Sequence, residues 1–208
     1  MSKDTPLFKL SGLRFKDFLS YPDIEIKAGK ATFICGESGS GKSTLLKLLN
    51  GVLTPAAGSI FYNGKDLAEY DSIGLRREVL LVGQAVYLFD KDIKANFNEF
   101  YAFRGQEGIS EAEMQRYLAL CCFDLPLSSD CSVLSGGERA RVFLAINLSL
   151  GARVLMLDEP TAALDDATAE QLLKNVSGYC AGAGMSLIVV SHDKTLADRY
   201  SDWKILLN

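Results

Sequence analysis

The residues able to do chemistry begin at Gly36-Glu37-Ser38-Gly39-Ser40-Gly41-Lys42-Ser43, followed by Thr44. This is the spacing of a phosphate-binding loop, G-x-x-x-x-G-K-[ST]. Its glycines let backbone N–H groups close around phosphate oxygens, where side chains would block them. A helix starting at the loop adds unpaired N–H donors and a positive dipole end. Lys42 is the cation for the β- and γ-phosphates, and the Ser43 hydroxyl is a ligand for Mg²⁺. The loop marks a nucleotide site without saying what the nucleotide is used for.

Other polar groups stand where buried strands end. Asp158 and Glu159 directly follow the apolar run Val154-Leu155-Met156-Leu157. Two acids there are costly unless a cation or a proton-transfer task occupies them. Mg²⁺ beside the loop accounts for Asp158, and Glu159 is then placed to polarise a water against the γ-phosphate. His192, the only histidine, follows Leu187-Ile188-Val189-Val190 and Ser191. A lone histidine is usually an ordinary surface or core residue, but a strand end shared with other polar groups weakens that reading. Gln84 follows Val79-Leu80-Leu81-Val82 and Gly83, at the strand end where open α/β sheets bind ligands. On its own, a surface-loop glutamine is the simpler account.

Leu134-Ser135-Gly136-Gly137-Glu138 contains the S-x-x-E capping box of a helix start. With Gly136 and Gly137 inside it, that start also offers bare N–H groups to an anion. Capping alone is the structural account; beyond it, this helix start would be a second phosphate-binding surface besides the loop.

The elements needed to position these groups can be read from apolar periodicity. Ala31-Thr32-Phe33-Ile34-Cys35 is a strand before the loop, and Leu45-Leu46-Lys47-Leu48-Leu49 is helical after it. Leu7, Phe8, Leu10, Leu13 and Phe15 mark one early strand and Ile24-Glu25-Ile26 another. Ser59 to Tyr62, Val79 to Val82, Val154 to Leu157, Leu187 to Val190 and Trp203 to Leu207 read as further strands. Ser110 opens a helix through Leu120, and Thr161 opens one through Leu173, with Asn175 to Ser191 read as a loop and one buried strand. Tyr87, Phe89, Phe97, Phe100, Tyr101 and Phe103 crowd aromatics into one stretch, mostly a small core with some rings free for docking. The pattern is a P-loop NTPase α/β core with a mainly parallel sheet and an N-terminal antiparallel β portion. It forms one domain over residues 1–208, with the core at about 1–84 and 150–208 and an inserted helical subdomain at about 85–149.

Composition narrows the classes. At 208 residues and 48% hydrophobic the chain can bury one sizeable core. A net charge of −4 gives no reason to expect nucleic acid as a partner. The N-terminus shows no apolar signal region and no run is long enough to cross a membrane. The five cysteines have no C-x-x-C spacing, so neither a disulfide framework nor a zinc site is expected, and the cytosol is the natural compartment. Cys35 reads as a small buried strand residue.

These residues resemble the ATP-binding cassette (ABC) ATPase family over nearly the whole chain. Gly36 to Ser43 resembles its Walker A, Gln84 its Q-loop and Leu134 to Glu138 its signature. Val154 to Glu159 resembles Walker B with the catalytic glutamate, Ala163-Leu164-Asp165 the D-loop and His192 the switch histidine. The resemblance implies head-to-tail pairing, with ATP between one Walker A and the partner's signature. Ser135, Gly136 and Gly137 would then contact a nucleotide bound by the other subunit. Lys42, Ser43, Gln84 and Asp158 would organise phosphates and Mg²⁺, with Glu159 as general base and His192 on the γ-phosphate. Phe15, with Phe18 next, would stack on adenine; of the three aromatics Phe15, Phe18 and Tyr21, core packing accounts for two. With a single cassette, the working unit would be a homodimer or a pair with a related chain.

The implied function is that of the ATPase subunit of a transporter, driving a separate membrane-spanning permease from the cytoplasmic face. The layout is similar to small bacterial metal-export ATPases, and the short C-terminus leaves little room for a substrate sensor. A soluble ABC ATPase of DNA or ribosomes is the alternative. However, only about ninety residues separate Ser43 from Leu134, without heptads, and neither a second cassette nor a basic linker is present. A small P-loop kinase is disfavoured by the signature and by Glu159 beside Asp158.

Overall fold

The computed structural model describes residues 6–207. In chain order come β1 (Phe8–Phe15), β2 (Leu19–Ser20), β3 (Ile24–Ile26), β4 (Ala31–Gly36), α1 (Lys42–Leu49), β5 (Ala57–Tyr62), β6 (Lys65–Asp66), α2 (Ser72–Glu78) and β7 (Val79–Val82). Then follow α3 (Ile93–Phe103), α4 (Glu111–Leu120), α5 (Gly136–Ser149), β8 (Val154–Asp158), α6 (Asp166–Gly182), β9 (Ser186–Val190), α7 (Lys194–Tyr200) and β10 (Trp203–Leu207).

Two sheets result. In the N-terminal one, β1 pairs antiparallel with β2, β3 and β5, and β6 extends β5. The main sheet is parallel throughout, in the order β10-β4-β9-β8-β7. That order brings distant segments to one edge. The carboxyl ends of β4, β9 and β8 lie side by side, and Ile34, Val190 and Asp158 are level in register.

The central strands β4, β9 and β8 are buried on both faces, which is why they read as nearly unbroken apolar runs, whereas the edge strand β10 is exposed on one side. Period-2 alternation divides them. Phe33, Leu155, Leu157, Leu187 and Val189 pack with α3 to α6 in one core. Ile34, Met156, Ile188 and Val190 pack with α1 and the N-terminal sheet in the other. The helices between residues 85 and 149 therefore share a core with the sheet.

Some elements differ from the sequence expectation. The helix read as opening at Thr161 starts at Asp166, because Pro160 to Ala163 form a turn and the Asp165 side chain caps the helix by accepting from Thr168 N at 3.0 Å. It also runs through Gly178 to Gly182, a stretch that composition assigns to a loop. Val176 and Cys180 are buried in the first core, and that packing outweighs the poor helix propensity of glycine. The short α2 and α7, capped by Asp71 and Asp193, carry too little periodicity to be read. All five cysteines are free, and Cys35 is buried in β4, where burial pushes its thiol up.

Gly58 shows where backbone approach sets the sequence. It has φ +84°, and an added Cβ would lie 2.4 Å from Gly12 O across the β1–β5 pairing. Gly58→Ala is expected to lower stability by more than about 1 kcal/mol, seen as a lower urea midpoint.

Candidate nucleotide site

The phosphate loop depends on backbone conformations that favour glycine. Gly39 and Gly41 have φ 85° and 87°, and Gly41 is the N-cap of α1 with no side chain capping it. The first turn of α1 thus keeps its N–H groups for an anion. Lys42 is buried, and its Nζ donates to Gly36 O at 3.0 Å and Glu37 O at 2.7 Å. The lysine is folded back over the loop. The Ser40 hydroxyl is buried without a partner. Tyr21 donates to Gly41 O at 2.9 Å, and a Cβ at Gly41 would lie 2.7 Å from Leu19 Cδ2. β2 and Tyr21 therefore brace the loop from outside, a role the sequence pattern does not assign.

Ser43 Oγ donates to Asp158 Oδ1 at 2.9 Å, so the loop meets the end of β8. Burial, partly offset by the Ser43 hydrogen bond, raises the Asp158 pKa above the usual carboxylate range. These two oxygens are a hard donor pair suited to Mg²⁺. Among the described residues no group of three or more His, Cys, Asp or Glu could hold a metal alone. Such an ion would need its remaining ligands from phosphate and water, which is how Mg²⁺ is usually held.

Glu159 sits in the left-handed region at φ 54°, uncommon for a residue with a side chain. Its N–H donates to Val190 O at 3.0 Å, prolonging the sheet ladder, and its Oε1 lies 2.7 Å from His192 Nε2. Gln84 lines a cavity of about 430 Å³ together with Asp158, Glu159, Gly136, Arg139 and Ala163. Lys42, Ser43, Gln84, Asp158, Glu159 and His192 therefore gather at one sheet edge.

The second surface opens on the cavity that Gly136 lines with Asp158 and Glu159, and no residue of the 36–43 loop lines that cavity. Ser135 caps α5 in a full capping box: Glu138 N donates to Ser135 Oγ, and Ser135 N reaches Glu138 Oε2 at 2.8 Å. A Cβ on Gly137 would lie 3.0 Å from Ala163 O, so α5 starts against the turn that follows Glu159. Ser135 and Gly136 are exposed.

A family description, "ABC transporter", matches residues 19–162. The chain belongs to this family. It is 34% identical over 202 residues to Protein STAR1 of Oryza sativa subsp. japonica, covering 97% of this chain and 58% of that protein. It is 33% identical over 189 residues to the methionine import ATP-binding protein MetN of Caulobacter vibrioides, covering 88% and 57%. The chain thus spans under three fifths of the length of these two relatives. The solved structure of cbiO1 from Clostridium perfringens, described as part of the ABC transporter complex cbiONQ, superposes with TM-score 0.83 at 26% identity, covering 99% of this chain and 86% of that one.

Within the ABC fold, two residues beyond those expected tie the segment after Gln84 to the segment before Ser135. Asn96, fully buried, accepts from Phe89 N at 2.8 Å and donates to Phe89 O and Cys131 Sγ. Arg139 donates to Cys131 O, and to Leu88 O at 3.5 Å. A buried amide in a polar-rich helix gives no pattern in sequence, so only the fold reveals it. As to the aromatics expected near adenine, Tyr21 is buried, Phe15 is partly buried against the second core and Phe18 is 79% exposed.

Asp158 offers a test through pH. Its raised pKa means that ionising it costs native stability, a cost absent below the ordinary aspartate range and growing as pH rises through the folded value. Asp158→Asn is expected to melt higher than the parent at pH 7 without nucleotide, with the gain vanishing in acid. Scanning calorimetry across pH measures it, and a lower melting point at pH 7 would contradict burial as the cause of the shift.

Proposed function

We propose that the chain is the ATP-binding and ATP-hydrolysing subunit of an ABC transporter, dimerising on ATP to drive a separate membrane-spanning partner. The observation that carries this reading is that the chain presents two anion-suited helix starts, at Gly41 and at Ser135, and that the cavity lined by Gly136 includes no residue of the phosphate loop. A second copy set head to tail would supply the missing half of each site. The relatives support it, one being an import ATP-binding protein and one part of a transporter complex.

In this mechanism the loop N–H groups and Lys42 bind the ATP phosphates, Lys42 leaving its contacts with Gly36 and Glu37. Ser43 and Asp158, with Gln84 beside them, would hold Mg²⁺, which when bound neutralises developing charge on the phosphates. Glu159 accepts a proton from water as the water oxygen bonds the γ-phosphorus and the bond to the bridging β–γ oxygen breaks, releasing ADP. His192, 2.7 Å from Glu159, orients that carboxylate and contacts the γ-phosphate. Ser135, Gly136 and Gly137 close on the nucleotide of the partner copy. Phe15 offers a partly buried ring to adenine, with Phe18 the exposed alternative.

None of the described helices is long and apolar enough to cross a membrane; in this reading a separate partner spans it and the chain sits peripherally on the inner membrane face. Tyr87, Phe89 and Phe103 are 72%, 39% and 73% exposed, and the rings of Phe89 and Phe103 stack with centroids 6.0 Å apart. This exposed ring pair, with Tyr87 in the same segment, supports docking of the partner here.

Two outcomes follow. Glu159→Gln, which stops proton transfer but spares binding, is expected to accumulate an ATP-bound dimer. Light scattering reads this directly, and a protein that stays monomeric with ATP removes the shared-site reading. Replacing Tyr87 and Phe103 by serine should leave ATP hydrolysis by the isolated chain within about twofold, because surface substitutions change stability little. Transport in cells should fall, and equal loss of both activities would make these rings structural.

A further inference from the structure

The sheet edge opposite the phosphate loop carries a cluster of guanidinium groups that the proposed chemistry leaves unused. Arg77 lies in the last turn of α2, Arg104 is the C-cap of α3, and Arg153 immediately precedes β8. With Glu78, Gln106, Leu150 and Gly151 they line one cavity of about 180 Å³.

Part of this arrangement is helix capping. The helices α2, α3 and α5 all end here, and cations suit helix C-termini. Arg77 Nη2 donates to Arg104 O at 3.1 Å, Arg104 Nη1 to Leu150 O at 3.1 Å, and Arg104 Nη2 to Arg77 O at 3.5 Å. Capping thus accounts for Arg77 and Arg104. It does not account for Arg153, whose ion pair is with Glu78 at 3.8 Å. Glu78 also accepts from the Tyr62 hydroxyl at 3.3 Å. One shared carboxylate stands against three guanidiniums. Burial and the neighbouring Arg77 push the Arg104 pKa down, so the cluster is held at an electrostatic cost.

We propose that this cavity is an anion site that takes a single oxyanion group, a phosphate or a carboxylate. A guanidinium presents a planar fork of N–H donors matched to such oxygens, and among the described residues three hydrogen bonds from the cluster go to carbonyls. The volume suits one small group; whole small-molecule pockets run to roughly 300 Å³ or more. The group can come from free phosphate or from an acidic side chain docking beside exposed Phe103, which adjoins Arg104 in sequence. The proposal does not depend on the transport reading.

Phosphate is titrated against chloride at constant ionic strength, which removes simple screening, with the loop disabled by Lys42→Ala. Binding is read from the melting temperature and by calorimetry, and tetraglutamate is titrated in parallel. Arg153→Gln removes a guanidinium that bonds no carbonyl, so its fold should survive where Arg104→Gln could unfold. It is expected to weaken binding of either probe about tenfold, the usual scale for a charge-assisted hydrogen bond. Phosphate binding lost in Arg153→Gln supports a free anion; tetraglutamate binding alone lost supports an acidic side chain. Failure of both probes to bind, or equal binding with and without Arg153, overturns the site.

Discussion

The Ser43 hydroxyl and the Asp158 carboxylate meet at 2.9 Å, and much of the fold is arranged to let them. Ser43 opens α1 just after β4 while Asp158 ends β8, and β9 lies between those two strands. The hydroxyl reaches across because α1 leaves the loop and packs over the sheet, burying Leu45, Leu46, Leu48 and Leu49 against Met156, Ile188 and Val190. The carboxylate is held at the sheet edge by a strand buried over all five residues. Burying a charge this way is unfavourable, so the site stores a demand for a cation where phosphates arrive.

Glu159 shows how the next residue is turned to a different task. An ordinary extended residue after Asp158 would carry its side chain onward past the sheet. The left-handed φ of 54° redirects the chain while the bond from its N–H to Val190 O keeps it tied to the ladder. That conformation costs roughly 1–3 kcal/mol for a residue other than glycine. The ladder bond, the following Pro160 turn and the contact with His192 hold it in place. The carboxylate then lies beside β9's end, where His192 waits, and two acids adjacent in sequence face different partners.

The sequence made legible what depends on local rules. Buried parallel strands show as apolar runs four or five residues long, and the glycines of the loop and the Ser135–Glu138 cap have types that few other structures require. Contacts set by the tertiary fold stayed hidden. Gly178 and Gly182 signalled a loop, yet the burial of Val176 and Cys180 keeps α6 helical. Tyr21 counted as one aromatic of three until its hydroxyl was placed on Gly41 O. Asn96 looked like any helix asparagine, because nothing local shows that its amide links segments 35 residues apart at Cys131. The strand order, which decides that Gln84, Asp158, Glu159 and His192 share an edge, follows from which helices cover which face.

On the proposed reading, Lys42 and Ser135 of the two phosphate surfaces are each engaged within the chain before any nucleotide binds, although the Ser40 hydroxyl of the loop is not. Lys42 spends its ammonium on two loop carbonyls, and Ser135 gives its hydroxyl to Glu138 at 2.6 Å. Those bonds hold Glu138 below the usual carboxylate range, so an anion already occupies the helix start. A phosphate must displace the lysine contacts at one surface and compete with Glu138 at the other. The groups free to meet it at once are backbone N–H groups, those of the uncapped first turn of α1 and those of Gly136 and Gly137. On the proposed reading, a γ-phosphate is the one ligand that engages both surfaces together. Closure therefore depends on ATP more steeply than binding at either surface alone would.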